Sequence, residues 1–361
     1  MKIQSLQNEK YHINSGAKMM AFAGYNMPIW YSSIADENNC VRKNIGVFDV
    51  SHMGEFIISG NDSKKFLQIM TSNNIERLEK GKVQYSSILN KIGGIIDDLL
   101  VYDLGNKKYM LVVNASNMEK DLKWLIKNNN NLDIIIENKS KEISLFAIQG
   151  PKSIQLINKI FNKDFSLEKY YTFKEIHSKI FGNILISVTG YTGAGGFELY
   201  VENKYAVELW NKIIDYGKEF KIQPIGLGAR DTLRLEMGFC LHGNDIDENI
   251  NPIEADLGWI CKKKIDFIGK STVDRDRNNN PKKILIGFKL KEKGIARKGY
   301  KIFNEKDNLI GEVTSGSISP FLMKPIGMGY VNYGENKISK YIYIEVRNKK
   351  IKAEISKRPF I

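Results

Sequence analysis

Cysteine and histidine are scarce in this chain, and their positions exclude several kinds of site. The three cysteines, Cys40, Cys240 and Cys261, lie far apart and are odd in number, which predicts free thiols in a reducing compartment. The four histidines are scattered along the 361 residues. Because neither residue type occurs at the spacing of metal ligands, we expect no metal site.

Long apolar stretches are missing as well. No apolar run reaches the roughly 18 residues that a membrane span needs, and the first ten residues lack the apolar core of a signal peptide. We therefore expect a cytoplasmic protein with no membrane partner. The composition, with 42% hydrophobic and 26% charged residues, is that of an ordinary globular protein, and 361 residues predict two or three domains.

Positive charge is the unusual bulk property. The formal net charge is +13, and residues 281–361 alone carry 18 Lys and Arg against 7 Asp and Glu, a net of +11. Such a module could steer an anionic partner toward it. The alternative is a general enrichment in Lys, Asn and Ile without any partner, as in the run 127–131. Aromatic residues do not alternate with the basic ones as a stacking platform requires, so we expect no nucleic-acid partner.

Short strands and helices alternate irregularly over the first 280 residues, which predicts an α+β fold. A loop is expected at 24–30, and a polar linker containing Pro281 at 278–283. From residue 284 onward, short apolar strands separated by turns predict a β-barrel or sandwich. The predicted strands are 47–60, 83–89, 95–102, 109–113, 143–149, 179–189 and 196–201, and the predicted helices are 35–43, 61–72, 119–127, 153–160, 207–219 and 228–236.

Two adjacent carboxylates, Asp97 and Asp98, interrupt an apolar run that follows Gly93 and Gly94. Alternation along a strand places the two on opposite faces, so at least one points toward a core or a pocket and needs a partner there. The alternative is that both lie at the start of the strand and cap the glycine turn.

Several motifs together resemble the glycine cleavage system T-protein family, the aminomethyltransferases. They are DVSHMG (49–54), GGIIDDL (93–99), TGYTG (189–193), GFE (196–198), GLGARD (226–231), DIDEN (245–249), LGW (257–259), FIGK (267–270), ARKGY (296–300) and TSGSISP (314–320). Each motif is weak alone. Their shared order and spacing extend the resemblance from residue 11 to residue 360.

The resemblance implies a three-domain, clover-like α+β protein with tetrahydrofolate in a central cavity. The expected domains are a discontinuous first domain (1–50 and 141–270), a second α+β domain (51–140) and a C-terminal β-barrel (281–361). The implied reaction moves a one-carbon unit from the aminomethyl group on the dihydrolipoyl arm of the H-protein to tetrahydrofolate. Ammonia and 5,10-methylenetetrahydrofolate are the products, and the lipoyl group comes with the H-protein partner.

The same motifs imply particular site residues. Asp98 matches the key acidic residue, which is expected to stabilise positive charge at the reacting nitrogen. Glu198 matches a carboxylate that binds the pterin ring, where it accepts hydrogen bonds from N–H groups, and Arg230 is expected to donate to a carbonyl or to the glutamate tail. A direct Arg230–Glu198 salt bridge without a ligand is the alternative. The remaining expected cofactor-binding residues are Tyr85, Asn114, Tyr191 and Met53, for the first three of which core packing is the alternative.

Adjacent Ser51 and His52 are not expected to form a nucleophile–base pair, because neighbours in a strand point to opposite faces. Many family members continue past the equivalent of Ile361 with an arginine that meets the folate tail, so weaker folate binding is expected here. Three rival functions stay open: another folate-dependent enzyme such as a demethylase, a non-catalytic folate-binding assembly factor that works through a cysteine motif, and a nucleic-acid-binding module. The lack of such a cysteine motif counts against the second.

Overall fold

The structure is a computed structural model that describes residues 3–262 and 264–361. The helices are α1 (Glu9–Asn14), α2 (Ile34–Lys43), α3 (Ser63–Met70), α4 (Met118–Lys127), α5 (Ser153–Phe161), α6 (Asn203–Gly217), α7 (Leu227–Glu236) and α8 (Lys270–Asn279). None of the helices formed by the described residues has the length and apolar character that a membrane span requires.

The strands belong to small sheets and a barrel. They are β1 (Lys18–Phe22), β2 (Tyr25–Trp30), β3 (Gly46–Asp49), β4 (Gly54–Ser59), β5 (Val83–Leu89), β6 (Ile95–Gly105), β7 (Lys108–Val113), β8 (Ile135–Asn138), β9 (Ile143–Gln149), β10 (Phe173–Ser178), β11 (Gly182–Ser187), β12 (Gly196–Glu202), β13 (Gln223–Pro224), β14 (Lys283–Leu290), β15 (Lys301–Phe303), β16 (Leu309–Ser319), β17 (Lys324–Asn332), β18 (Tyr341–Val346) and β19 (Lys349–Ser356).

Two of the sheets interleave along the chain. One has the strand order β5-β6-β7-β4-β8, and the other has the order β10-β11-β12-β9-β3-β13. The second sheet therefore takes β3 from before the first sheet and its other strands from after it. Strands β14 to β19 form a closed barrel in the order β14-β17-β16-β15-β18-β19. The predicted α+β class with a C-terminal β-barrel is confirmed, whereas the predicted domain boundaries stay predictions.

The described residues divide into two compact units. The first unit comprises the described residues up to Phe66, together with Arg77–Tyr85 and Leu99–Asp231. The second unit comprises Leu67–Glu76, Ser86–Asp98 and the described residues from Thr232 onward. The last boundary before Leu99 falls inside β6, between Asp98 and Leu99.

The core of the first unit lies between the β9–β12 sheet and helices α5 and α6. Its buried side chains include Leu156, Ile157, Leu209, Trp210 and Ile213 from the helices and Phe146, Ile148, Phe197 and Leu199 from the strands. Because alternate residues of β12 enter this core, Glu198 and Tyr200 point to the opposite face of the sheet. The packing of Phe197 and Leu199 thus fixes where the carboxylate of Glu198 is presented.

Two predictions for the first 60 residues are wrong. The predicted loop at 24–30 contains β2, which pairs with β1 in a hairpin. The predicted strand 47–60 is two strands, β3 and β4, with a turn at 50–53 between them. That turn forms because Asp49 Oδ1 accepts hydrogen bonds from the Ser51 N–H at 3.1 Å and the Ser51 hydroxyl at 2.6 Å, which pulls the chain out of the extended conformation.

Candidate functional site

Glu198, Arg230 and Tyr191 come together in the first unit. Glu198 lies in the middle of β12 between Ala147 of β9 and Ser187 of β11 and is 7% exposed. The guanidinium carbon of Arg230, from the first turns of α7, lies 4.8 Å from the centroid of the Tyr191 ring. Tyr191 belongs to the glycine-rich turn that precedes β12. The aromatic face stabilises the cation and holds its plane in place.

Glu198 and Arg230 interact through space without direct contact. Among residues 3–262 and 264–361, no ion pair within 4.0 Å joins them, so the alternative of a closed salt bridge is wrong. Burial raises the pKa of Glu198, although Thr189 and the charge of Arg230 oppose the rise. Burial also lowers the pKa of Arg230, against the influence of Glu198 and Tyr191. Both groups are therefore poorly solvated in their charged forms. A polar ligand that hydrogen-bonds to them would offset this desolvation penalty.

The glycine-rich turn is anchored from the sheet below it. Gln149 Nε2, on the last residue of β9, donates to the Thr189 carbonyl at 3.0 Å, and the Thr192 hydroxyl donates to Gln149 Oε1 at 2.7 Å. A Cβ at Gly190 would approach Gln149 Oε1 to 2.0 Å, so a larger residue there would displace the Gln149 side chain that anchors the turn. Arg42 of α2 donates to the Thr192 carbonyl at 2.6 Å. These contacts fix the turn that carries Tyr191.

His52 adds a neutral imidazole to the first unit. The side chain is 3% exposed, and Nδ1 has no hydrogen-bond partner among the described residues. Its ring packs against Phe22 and Tyr25, with centroid distances of 5.7 and 6.5 Å. Burial and the charge of Arg230 lower the pKa of His52 to about 3. Ser51 bonds to Asp49 and to the Leu145 backbone, and both Ser51 and His52 lie in the turn at 50–53, so the strand alternation on which the expectation of no Ser51–His52 pair rested does not apply.

Glu55, on β4, is a second buried carboxylate of the first unit. It is 1% exposed, and neither carboxylate oxygen has a hydrogen-bond partner among the described residues. Burial raises the pKa of Glu55 well above its usual value. Glu55 is not among the site residues expected from the sequence, although a glutamate within the apolar stretch that forms β4 is a signal of the same kind as Asp97 and Asp98.

Asp98 lies in the second unit, as the fourth residue of β6. It is half-buried, whereas the adjacent Asp97 is fully buried. Both lie inside the strand, and the turn before it has its own cap, because Asn90 Oδ1 accepts from the Gly94 N–H at 2.9 Å. The alternative that places the two aspartates at the start of the strand is therefore wrong, since they are its third and fourth residues.

The start of β6 is held by the segment 242–250 of the same unit. The Ile95 N–H donates to the carbonyls of Asp247 and Ile250, both at 3.0 Å. A Cβ at Gly94 would lie 1.8 Å from the Glu248 carbonyl oxygen, so only glycine allows this approach. The Gly93–Gly94 pair thus lets a second backbone segment pack against the strand that carries Asp98. Asp98 is also close enough to Cys240 to help raise the pKa of that thiol, after burial and Asp245.

The other predicted site residues occupy half-buried positions in the first unit. Met53 lies in the turn between β3 and β4, Tyr85 on β5, and Asn114 immediately after β7. Their predicted part in ligand binding stays a prediction.

Family models match nearly the whole chain. The model described as the GCVT N-terminal domain matches residues 9–265, and the one described as the glycine cleavage T-protein C-terminal barrel domain matches residues 283–361. These matches define the class: a GCVT-type domain followed by a barrel domain.

Similar proteins narrow the class to one family. A protein named aminomethyltransferase from Bacteroides fragilis is 49% identical over 351 residues, which are 97% of each chain. The aminomethyltransferase of Flavobacterium psychrophilum is 44% identical over 360 residues, 100% of this chain and 99% of that one. The crystal structure of glycine cleavage system aminomethyltransferase T from Bartonella henselae has a TM-score of 0.93 and 31% identity, and it covers 100% of this chain and 98% of that one.

The chain belongs to the glycine cleavage T-protein family. The predicted family, the transferase class and the aminomethyltransferase function in glycine cleavage are confirmed.

Proposed function

We propose that the chain takes its one-carbon unit from an aminomethyl group on the dihydrolipoyl arm of an H-protein and delivers it to tetrahydrofolate. In that exchange the carbon loses its bonds to sulfur and to the amine nitrogen and gains bonds to folate N5 and N10. The two protons displaced from the folate nitrogens leave on ammonia and on the thiol, so atoms and charge balance. No redox partner or metal is needed for this balance.

The observation that carries the proposal is the open pair of Glu198 and Arg230. A pterin ring presents N–H donors on one edge and a carbonyl acceptor nearby. A buried carboxylate accepts the donors, and a guanidinium donates to the acceptor or to a carboxylate of the tail. Without a ligand, both charged groups remain poorly solvated at a separation that allows no direct ion pair. The donor set therefore fits a flat, polar heterocycle, and Tyr191 keeps Arg230 oriented toward it.

Asp98 is proposed as the catalytic carboxylate. Its role rests on its match to the family motif and on its own surroundings in the second unit. The side chain is only half-buried, so it stays accessible while the two hydrogen bonds of the Ile95 N–H hold the start of the strand in place. An ionised carboxylate there would stabilise the positive charge that develops at the reacting nitrogen as the amine leaves. Tyr85, Asn114 and Met53 are proposed to line the folate site.

The H-protein and a cytoplasmic location complete the proposal. Lipoyl carrier domains are usually acidic, and residues 281–361 of this chain carry a net charge of +11. Opposite charges of this kind accelerate encounter and favour the correct partner more than they strengthen the final complex.

The test combines folate binding with product release. Calorimetry measures tetrahydrofolate binding to the wild type, Glu198→Gln, Asp98→Asn and the control Glu202→Gln, which makes the same substitution at an exposed position of β12. Ammonia release is measured with aminomethylated lipoyl H-protein. We expect Glu198→Gln to bind tetrahydrofolate about 10- to 100-fold more weakly, because a hydrogen bond to a charged group is lost, and Glu202→Gln to bind as the wild type does.

Asp98→Asn is expected to bind tetrahydrofolate and to lose ammonia release. Folate binding by the wild type without any ammonia release would instead favour another folate-dependent enzyme, such as a demethylase. Absence of folate binding by the folded wild type would overturn the assignment of Glu198 and Arg230.

A further inference from the structure

A chain of buried hydroxyl groups leads away from Glu198 within the first unit. The Thr189 hydroxyl donates a hydrogen bond to Glu198 Oε2. The Tyr102 hydroxyl lies 3.4 Å from Thr189 Oγ1 and 2.9 Å from the Tyr200 hydroxyl. Thr189, Tyr102 and Tyr200 are each less than 5% exposed. Water therefore has little access to these groups, and each hydroxyl depends on the next for its hydrogen bond.

The direction of donation along this chain depends on the charge of Glu198. Each hydroxyl has one proton, so a Thr189 hydroxyl that donates to Glu198 has none left for its other neighbours and can only accept from them. Those neighbours are Ser187 Oγ, at 2.9 Å from Thr189 Oγ1, and the Tyr102 hydroxyl. A protonated Glu198 would compete with Thr189 as a donor at Oε2. The arrangement Tyr102 to Thr189 to Glu198 therefore suits the ionised carboxylate.

We propose that Thr189 and Tyr102 are positioning residues that keep Glu198 ionised and fix one of its oxygens, so that the other oxygen is presented to the ligand. The inference rests on the proposed folate-binding role of Glu198. It assigns a task to two residues that the family motifs and the site description leave without one. Thr189 acts directly on the carboxylate, and Tyr102 acts through Thr189.

The charges around Glu198 come from several elements. Those that interact with it are Tyr102 on β6, Tyr170 and Tyr171 before β10, Tyr200 on β12 and Arg230 on α7. Burial raises the pKa of each of these four tyrosines, so they stay neutral over the working pH range, and Arg230 is the cation of the set. The ionised state of Glu198 is thus favoured by Arg230 and by the hydrogen bond from Thr189, and it is opposed by burial.

The experiment measures tetrahydrofolate affinity as a function of pH by calorimetry. The variants are Thr189→Val, Thr189→Ser, Tyr102→Phe and the control Thr172→Val. Thr172 is also a buried threonine of the first unit, but its hydroxyl donates to the Lys169 carbonyl at 2.7 Å and does not contact Glu198. Titration of the ligand itself is common to all proteins, so differences between the pH profiles report on the site.

Thr189→Val is expected to weaken binding about 10-fold at neutral pH, because Glu198 loses the donor that fixes its carboxylate and favours its ionised form. Its affinity should also begin to fall at a higher pH than in the wild type, because the carboxylate protonates more readily without its donor. Thr189→Ser, which keeps the hydroxyl, should restore both properties. Tyr102→Phe should shift the profile in the same direction by less, and Thr172→Val should leave it unchanged.

If Thr189→Val only disturbs packing, less of the protein will be folded, but the folded fraction will bind with the pH profile of the wild type. That outcome would overturn the inference. So would wild-type binding by Thr189→Val at every pH while Glu198→Gln binds weakly, and in that case the proposed function stands. If Glu198→Gln binds as the wild type does, the proposed function fails at Glu198 itself, and the role of Thr189 fails with it.

Discussion

Asp49 and Glu198 are both buried carboxylates of the first unit, yet their surroundings differ in kind. Asp49 accepts hydrogen bonds from the Asn8 side chain at 3.2 Å and from the Ser51 N–H and hydroxyl, and its Oδ2 lies within hydrogen-bond distance of His12 Nε2, at 3.1 Å. The opposite ring nitrogen of His12 lies 2.9 Å from the Tyr31 hydroxyl. For Glu198, the side-chain donor is Thr189, and the nearest cation remains beyond ion-pair distance.

The pKa shifts follow this difference in partners. Burial alone would raise the pKa of Asp49, but the hydrogen bond and charge of His12, with the bonds from Ser51, hold it below its usual value. Burial prevails at Glu198, where the pKa is raised. A carboxylate with several hydrogen-bond donors, such as Asp49, stabilises the fold. A carboxylate with fewer donors, such as Glu198, can still bind a ligand, at some cost in the stability of the protein.

Asp49→Asn should be the most damaging substitution. It removes the carboxylate that His12, Asn8 and Ser51 contact and weakens the cap of the turn at 50–53, and each buried polar group left without a partner costs about 1–3 kcal/mol. Urea unfolding at pH 7 measures the change. Glu219→Gln is the control, since Glu219 forms an exposed ion pair with Lys159 and its loss should cost less than about 1 kcal/mol. Equal effects of the two substitutions would show that the Asp49 cluster does not stabilise the fold.

The sequence was sufficient for elements whose side chains alternate regularly. The predicted strands 83–89 and 143–149 coincide with β5 and β9. In each segment, the apolar residues either alternate with polar ones or form a short continuous run, and both patterns are typical of buried strands. Helix α8 was not predicted, because it is almost wholly polar and its single hydrophobic residue, the buried Val273, gives no apolar periodicity. The loop predicted at 24–30 contains Pro28, which is unfavourable inside a central strand, but β2 lies in a two-stranded sheet with β1 and therefore tolerates it.

The candidate site was predictable only where a motif marked it. Glu198, Arg230 and Tyr191 were identified by their motifs, but nothing in the sequence indicated that Arg230 lies on the Tyr191 ring or stays apart from Glu198. Such pairings join residues some 30 to 40 positions apart and depend on how β12 and α7 pack. Thr189 lies within a recognised motif, yet its bond to Glu198 requires the β11–β12 connection to fold back on the strand.

Glu55→Gln should stabilise the protein at neutral pH. A carboxyl whose pKa is raised on folding binds more protons in the folded state than in the unfolded state, so the folded state loses stability as the pH rises above the ordinary value of 4.5. The amide does not titrate, and it removes that loss; we expect a gain of about 1–3 kcal/mol at pH 7, the usual cost of an unsatisfied buried group.

Urea unfolding of both proteins between pH 4 and pH 8 measures the effect. The stability curves should converge at the acidic end and separate as the pH rises. Glu175→Gln, at an exposed position of β10, is the control and should follow the wild type throughout. Parallel curves for Glu55→Gln and the wild type would mean that Glu55 has a polar partner in solution.

His52→Phe should have almost no effect at pH 7 and a growing one in acid. A histidine whose pKa is lowered from 6.5 to about 3 binds fewer protons when folded, so its contribution to stability is complete above pH 6.5 and is lost as the pH falls toward 3. Phenylalanine matches the aromatic neighbours Phe22 and Tyr25 and cannot titrate. The wild type should therefore lose stability relative to the variant by at most about 1.4 kcal/mol per pH unit within that window.

Chemical unfolding at pH 7, 6, 5 and 4 separates this effect from that of Glu55, because the two slopes have opposite signs. His177→Phe, at an exposed position of β10, is the matched control for loss of a histidine, and it should show no growing advantage in acid. If His52→Phe and the wild type keep the same difference in stability at every pH, His52 is solvated or paired in solution. In that case His52 Nδ1 has a hydrogen-bond partner in solution and is not available to a ligand.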